Sequence, residues 1–262
     1  MQAQLDRLLE LEAGVREHAD PEAVHRMRVA TRRLRAARRF VPALAAAGEP
    51  LRELADALGR VRDLDVFIAG LRQDAAAAGS EEERAAIERI VDARTRERCA
   101  RHAELVRALD GPAMGEVRAL CERLAAAEGP NGRAPKLIRK SLRRLRRRGR
   151  GLRAATGEQL HAVRIAAKRF RYTCEFLAPA LRDEIALATA IQDALGQLHD
   201  DQVAVGLLLR HLASANGEAG AVGRLIELRL QRRDALLARF QELWDELPSG
   251  RAVERRIEGD TA

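Results

Sequence analysis

The side chains of this chain best placed to do chemistry are cationic, and they occur in a phrase written twice. His25-x-x-Arg28-x-Ala30-x-Arg32-Arg33-Leu34-Arg35 returns 136 positions later as His161-x-x-Arg164-x-Ala166-x-Lys168-Arg169-Phe170-Arg171. A second phrase follows each copy: Asp56-Ala57-Leu58-Gly59 with Arg62-Asp63, and Asp193-Ala194-Leu195-Gly196 with His199-Asp200, now offset by 137. Repetition at this distance means that a helical unit has been doubled, and that whatever the cationic segment does is done by a pair. Clustered guanidinium, ammonium and imidazole groups are suited to holding anions. Arginine outnumbers lysine 44 to 3, a ratio to which genomic base composition also contributes, and guanidinium forks suit bidentate phosphate contacts.

Other chemistries are less well served. Asp56, Asp63, Asp193 and Asp200 could be read as catalytic carboxylates, but their repeated places fit better with holding arginines such as Arg33 and Arg169 in position. Hydrolysis of a phosphoanhydride calls for a metal or an activated nucleophile, and the sequence shows no P-loop, acidic metal cluster or Ser-His-Asp arrangement. No HxxxH or HExxH occurs, so neither a metal nor a cofactor is expected. His25 and His161 admit two readings. A neutral imidazole could donate to phosphate or become cationic as a polyanion raises its pKa, or it could make an interhelical hydrogen bond to Asp63 or Asp200. His18, His102, His199 and His211 read as surface or interhelical residues, and Cys99, Cys121 and Cys174, with no CxxC, as small apolar fillers.

The net charge of +8 hides strong segregation. Residues 21–40 hold seven arginines against Glu22 alone, residues 136–153 hold ten basic side chains and no acid, and residues 161–171 hold four and no acid. At about 100° per residue, His25, Arg28, Arg32, Arg35 and Arg39 share one helix face, opposite Met27, Ala30, Leu34, Ala37 and Val41. His161, Arg164, Lys168 and Arg171 repeat it against Val163, Ala167, Phe170, Cys174 and Leu177, ending at Glu175. A third strip, Lys136, Lys140, Arg143, Arg147 and Arg150, with Arg139 beside it, is backed by Ile138, Leu142, Leu145 and Leu152. A solvated face normally interleaves signs. Like charges at i, i+4 cost a few tenths of a kcal/mol per pair, a cost that a bound polyanion would offset.

These faces must be positioned by helices. The composition, 47% hydrophobic and 33% charged with only 3% aromatic, is that of long helices, and no run of alternating β-branched residues is present. Helices are expected over about 2–17, 21–46, 50–78, 81–109, 112–128, 135–154, 158–180, 183–214 and 217–247. Asp20-Pro21-Glu22 supplies one N-terminus and the Ser80-x-x-Glu83 capping box another. The Gly129–Pro135 stretch reads as a linker, giving an N-terminal bundle over 1–128, a linker over 129–135, a C-terminal bundle over 136–247 and a flexible tail over 248–262. The expected fold is all-α: two antiparallel four-helix bundles related by a pseudo-twofold about a basic central cleft. No signal peptide or stretch of roughly 20 apolar residues is seen, so no membrane partner and a cytoplasmic location are expected.

The paired phrase, with its Leu-Gly-x-x-(Arg/His)-Asp echo, resembles the CHAD domain, the conserved histidine α-helical domain, over about residues 5–247. The resemblance implies two four-helix bundles and a non-catalytic module for inorganic polyphosphate, held by basic side chains lining a central cleft, with association to polyphosphate granules. The positions that match are His25, Arg28, Arg32, Arg33, Arg35, His161, Arg164, Lys168, Arg169 and Arg171. Arg39 extends the first stripe, and Lys136, Arg139, Lys140, Arg143 and Arg147 are expected to contribute by similarity. Many relatives carry a CYTH triphosphate-tunnel domain ahead of this one; its ExExK signature is absent here, so a stand-alone module is expected. A polymer with about one charge per phosphorus and no bases needs density of cations rather than hydrogen-bond patterning. The main alternative is nonspecific nucleic-acid binding, for which the few aromatics offer little stacking, and behind it a metal-dependent phosphoanhydride hydrolase.

Overall fold

The computed structural model describes residues 2–17, 20–41, 44, 46–124, 134–152, 157–214 and 219–259. Among them the chain is all-α, with ten helices and no strand: α1 (Gln2–Arg16), α2 (Pro21–Ala37), α3 (Gly48–Ala76), α4 (Glu81–Asp110), α5 (Pro112–Leu124), α6 (Ala134–Arg148), α7 (Gly157–Leu177), α8 (Arg182–Ser214), α9 (Ala219–Asp245) and α10 (Gly250–Gly259). No helix among the described residues is long and apolar enough to cross a membrane. Most of the expected linker lies outside the described residues.

The helix starts follow from their caps. The Asp20 carboxylate accepts from the Glu22 amide at 2.8 Å, with Pro21 at the first helical position of α2. Ser80 Oγ accepts from the Glu83 amide at 3.1 Å and the Glu83 carboxylate accepts from the Gly79 amide at 3.0 Å, so the expected capping box forms at α4. Three ends differ from expectation, and one of them is α6, which stops at Arg148 rather than near 154 as Gly149 and Gly151 interrupt it. α2 stops at Ala37, well short of 46, because Pro42 lacks an amide hydrogen and bars the helical conformation at the residue before it. The stretch after residue 247, expected as a flexible tail, contains α10, and Val253 is buried in the core there.

The chain groups into two compact units, Met1–Gly129 with Gly206–Ile226, and Pro130–Val205 with Glu227–Ala262. The expected boundary at the linker thus assigns Gly206–Ile226 to the other side from where compactness groups it. In the first unit α1 packs on α2, α2 on α3, and α3 on α4 and α5. The side chains expected to face inward from α2, Met27, Ala30, Leu34 and Ala37, are all buried, together with Val41 just past its end. Two buried polar links cross helices: Arg98 Nε of α4 donates to Asp65 of α3 at 2.6 Å, and His102 of α4 donates to the Val15 carbonyl of α1 at 2.7 Å.

In the second unit α6 packs on α7 and α10. Its core contains Ile138, Leu142 and Leu145 of α6, Val163, Ala167, Phe170 and Cys174 of α7, Ile191 and Leu195 of α8, and Phe240 of α9. Burial pushes the Cys174 thiol up to about 12, so it is an inert filler as expected. Cys99, by contrast, is exposed. Arg146 of α6 donates to the carbonyls of Leu247 and Pro248 at 2.7 and 2.8 Å, closing off the chain just beyond α9. The Trp244 indole lies directly on Gly149, where even a Cβ would overlap the ring.

Candidate functional site

The structure sorts the expected site residues by burial. On α2, His25, Arg28, Arg32, Arg33 and Arg35 are partly buried, and Arg39 beyond its end is exposed. On α7, Arg164, Lys168, Arg169 and Arg171 are partly buried and His161 is exposed. On α6, Lys136, Arg139, Lys140, Arg143 and Arg147 are all exposed. Two stripes are therefore sunk into the surface of their own units, and the third stands out from it.

Each unit brings its two repeated phrases face to face. In the first, the Arg28 guanidinium lies over Gly59 of α3, 3.8 Å from where a Cβ would sit. The His25 imidazole is held below its ordinary pKa, first by burial and then by the Arg62 guanidinium, with Arg32 and Arg28 adding to it and Glu22 opposing. In the second unit His161 meets His199, ring centroids 5.6 Å apart and tilted by 48°. Arg62 and His199 occupy matched positions, so the same place faces the repeated histidine twice, once as an arginine whose charge acts on His25 and once as a histidine whose ring meets His161. Neither Arg62 nor His199 belongs to the expected site. The second repeated phrase marks their positions, but the change from arginine to histidine obscures the cationic character.

The matched Arg28 and Arg164 share a further property: the Nε of each is buried and makes no hydrogen bond, although both residues have other interactions. Arg171 is more committed. Its guanidinium stacks on Tyr172 at 4.6 Å and pairs with Glu175 at 3.4 Å, which closes the second stripe where the sequence pattern ends. Asp56 stands 3.9 Å from Arg52 on its own helix rather than serving Arg33. No group of three or more potential metal ligands occurs among the described residues.

Chemically, these faces can hold extended anions: guanidinium groups of one sign, spaced along helices, next to a histidine whose pKa is held below its ordinary value by burial and then by its cationic neighbours. The family model for the CHAD domain matches residues 1–209, which include both copies of both phrases. The chain belongs to the CHAD domain family. It is 31% identical over 243 residues to two uncharacterized proteins of Mycobacterium tuberculosis, Rv2226 of strain H37Rv and MT2285 of strain CDC 1551, covering 81% of this chain. The chain spans 45% of the length of these curated relatives. Among solved structures, the CHAD domain from the plant Ricinus communis superposes with a TM-score of 0.72 at 25% identity, covering 94% of this chain and 89% of that one. PptA from Streptomyces chartreusis gives 0.73 at 16% identity, over 94% and 96%. The CHAD fold is thus shared while most of the sequence differs.

Proposed function

We propose that this CHAD domain is a non-catalytic binding module for inorganic polyphosphate, gripped by the partly buried cationic stripes of α2 and α7. The observation that carries this reading is the doubled stripe itself, with like-charged side chains sunk into each unit and the repeated phrases facing one another in the same way both times. Partial burial strengthens a charge-assisted phosphate contact relative to an exposed one, and a stripe of one sign suits a ligand whose charge repeats along its length. Residues His25, Arg28, Arg32, Arg33 and Arg35, with His161, Arg164, Lys168 and Arg169, are the ones assigned to the polymer.

The test is a titration of long-chain polyphosphate, short oligophosphates and mononucleotides at two salt concentrations, with inorganic phosphate release followed in the same samples. Affinity should rise with chain length and fall steeply with salt, as each engaged phosphate releases counterions, and no phosphate should be released. Replacing Arg28 and Arg164 together by Ala should weaken binding about tenfold or more while the fold persists. Equal affinity for short and long chains, release of phosphate, or full binding by the double variant would each overturn the proposal.

A further inference from the structure

The carboxyl-terminal ends of α6 and α9 meet. Gly149, just past α6, lies against Trp244 in the last turn of α9, and the turn beyond it needs the positive φ of Gly151, 75°. Two cavities flank this contact. One, of about 380 Å³, is lined by Arg146, Arg150 and Leu247 together with Gly149, Trp244 and Asp245. The other, of about 330 Å³, shares those last three and adds Gly151, Leu152, Phe240 and Gln241. Each has the size of a small-ligand site, about 300–1,000 Å³.

The fold leaves the polar groups here unspent. Gln241, Asp245 and Arg150 are exposed and make no hydrogen bond or ion pair among the described residues, although two arginines line a cavity with Asp245. The indole N–H of half-buried Trp244 has no acceptor among them either, where a packed tryptophan ordinarily finds one. Gln241 and Asp245 stand one turn apart on α9 and share a face. Arg146 is fixed in place: its Nη2 donates to the carbonyls of Leu247 and Pro248, which sets it apart from the exposed cationic ridge of α6 and leaves Nη1 and Nε uncommitted.

We infer that these joined cavities bind a free guanine nucleotide, its base stacked on Trp244 and its phosphates held by Arg146 and Arg150. A carboxylate only accepts hydrogen bonds, and the ends of two helices add carbonyl acceptors and the negative poles of their dipoles. Such a floor favours a ring edge that donates. Guanine has one, N1–H beside the N2 amino group, which a single carboxylate accepts in a bidentate pair; adenine puts the acceptor N1 at that edge. The Gln241 amide, donor and acceptor at once, stands beside Asp245 to complete the recognition. The indole supplies a stacking platform, and the anchored Arg146 with Arg150 supplies forks for phosphate. Bare polyphosphate brings neither a ring nor a donor and is repelled by Asp245. Gln241, Trp244 and Asp245 lie beyond residues 1–209, the span of the family match, and no side chain of the site belongs to the stripes of α2 and α7. The inference is therefore independent of the polyphosphate reading.

The experiment titrates the whole chain with GDP, ADP, guanosine, pyrophosphate and a short unstructured guanine-containing RNA, read by Trp244 emission and by calorimetry. GDP should quench the emission saturably and bind about tenfold or more tightly than ADP, because adenine leaves the carboxylate without its donors. Asp245→Asn should weaken GDP binding about tenfold and abolish the preference over ADP, and Arg150→Gln should weaken GDP about tenfold while sparing guanosine. Both side chains are exposed, so an unchanged thermal midpoint verifies that each variant is folded. Saturating GDP should leave polyphosphate binding as it was, and the Arg28→Ala/Arg164→Ala protein should bind GDP like its parent. No GDP binding by the parent, ADP or pyrophosphate bound as tightly as GDP, RNA bound more tightly than GDP, displacement of GDP by polyphosphate, an Asp245→Asn protein with its preference intact, or an Arg150→Gln loss shared by guanosine would each overturn the inference.

Discussion

Gly149→Ala isolates the contact that fixes the end of the cationic ridge. Gly149 is buried, its backbone does not have positive φ, and the space where a methyl group would go is taken by the six-membered ring of Trp244. To restore an ordinary carbon contact of about 3.5 Å the ring must retreat by roughly 1.5 Å. It cannot do so freely, because its centroid lies 5.7 Å from that of buried Phe240. Overpacking of this kind costs about 1–3 kcal/mol, against about 0.4–1 kcal/mol returned by stiffening the unfolded chain. The net expectation is a destabilisation of about 1–2 kcal/mol, or roughly 2–8 °C in thermal midpoint. Trp244 is the only tryptophan, so its emission reports the displacement directly while circular dichroism follows unfolding. With Trp244→Ala already present the same substitution should become neutral or mildly stabilising. An equal loss in that background, or a Gly149→Ala protein as stable as its parent with unchanged emission, would refute the steric argument.

Two further outcomes can be measured. Because the folded protein holds the His25 pKa below its ordinary value of about 6.5, the unfolded chain takes up that proton first: the contribution of a neutral His25 is complete above about pH 6.5 and is lost as pH falls through the folded value. His25→Gln should flatten this dependence in denaturant titrations, and saturating polyphosphate should raise the His25 pKa in an NMR titration; an unmoved pKa would separate His25 from the bound polymer. Asp65→Ala removes the buried carboxylate that pairs with Arg98 between α3 and α4 and should cost about 3 kcal/mol by chemical denaturation, whereas a loss below about 1 kcal/mol would show the pair to be dispensable.

What the sequence made legible was periodic. The cationic and apolar faces of α2, α6 and α7 emerge from helical spacing alone, since every third or fourth residue repeats its type and the buried partners follow opposite. The boundary of α2 was less legible, because the apolar pattern runs on through Val41 although Pro42 cannot continue the helix. α10 is short, and its buried anchor, Val253, stands among charged residues that read as a tail. Contacts between distant positions were invisible: nothing in a run of eight cations distinguishes Arg146, which serves two carbonyls about 100 residues away, from Arg147, which faces solvent. The nearness of Arg62 to His25 and of His199 to His161 lay between these cases. The doubled phrases marked all four positions, but only packing shows that the phrases touch.

The grouping of Gly206–Ile226 with Met1–Gly129 bears on how a doubled protein can be taken apart. Scission at the Gly129–Pro135 connection would not release two self-sufficient halves, for the amino-terminal piece would lack the segment bearing Leu208, Val222 and Leu225, each of which is shielded from water. An ancestor made of one copy would have needed some other cover for that apolar surface. The duplication is thus an interleaved inheritance, in which later sequence completes what earlier sequence began.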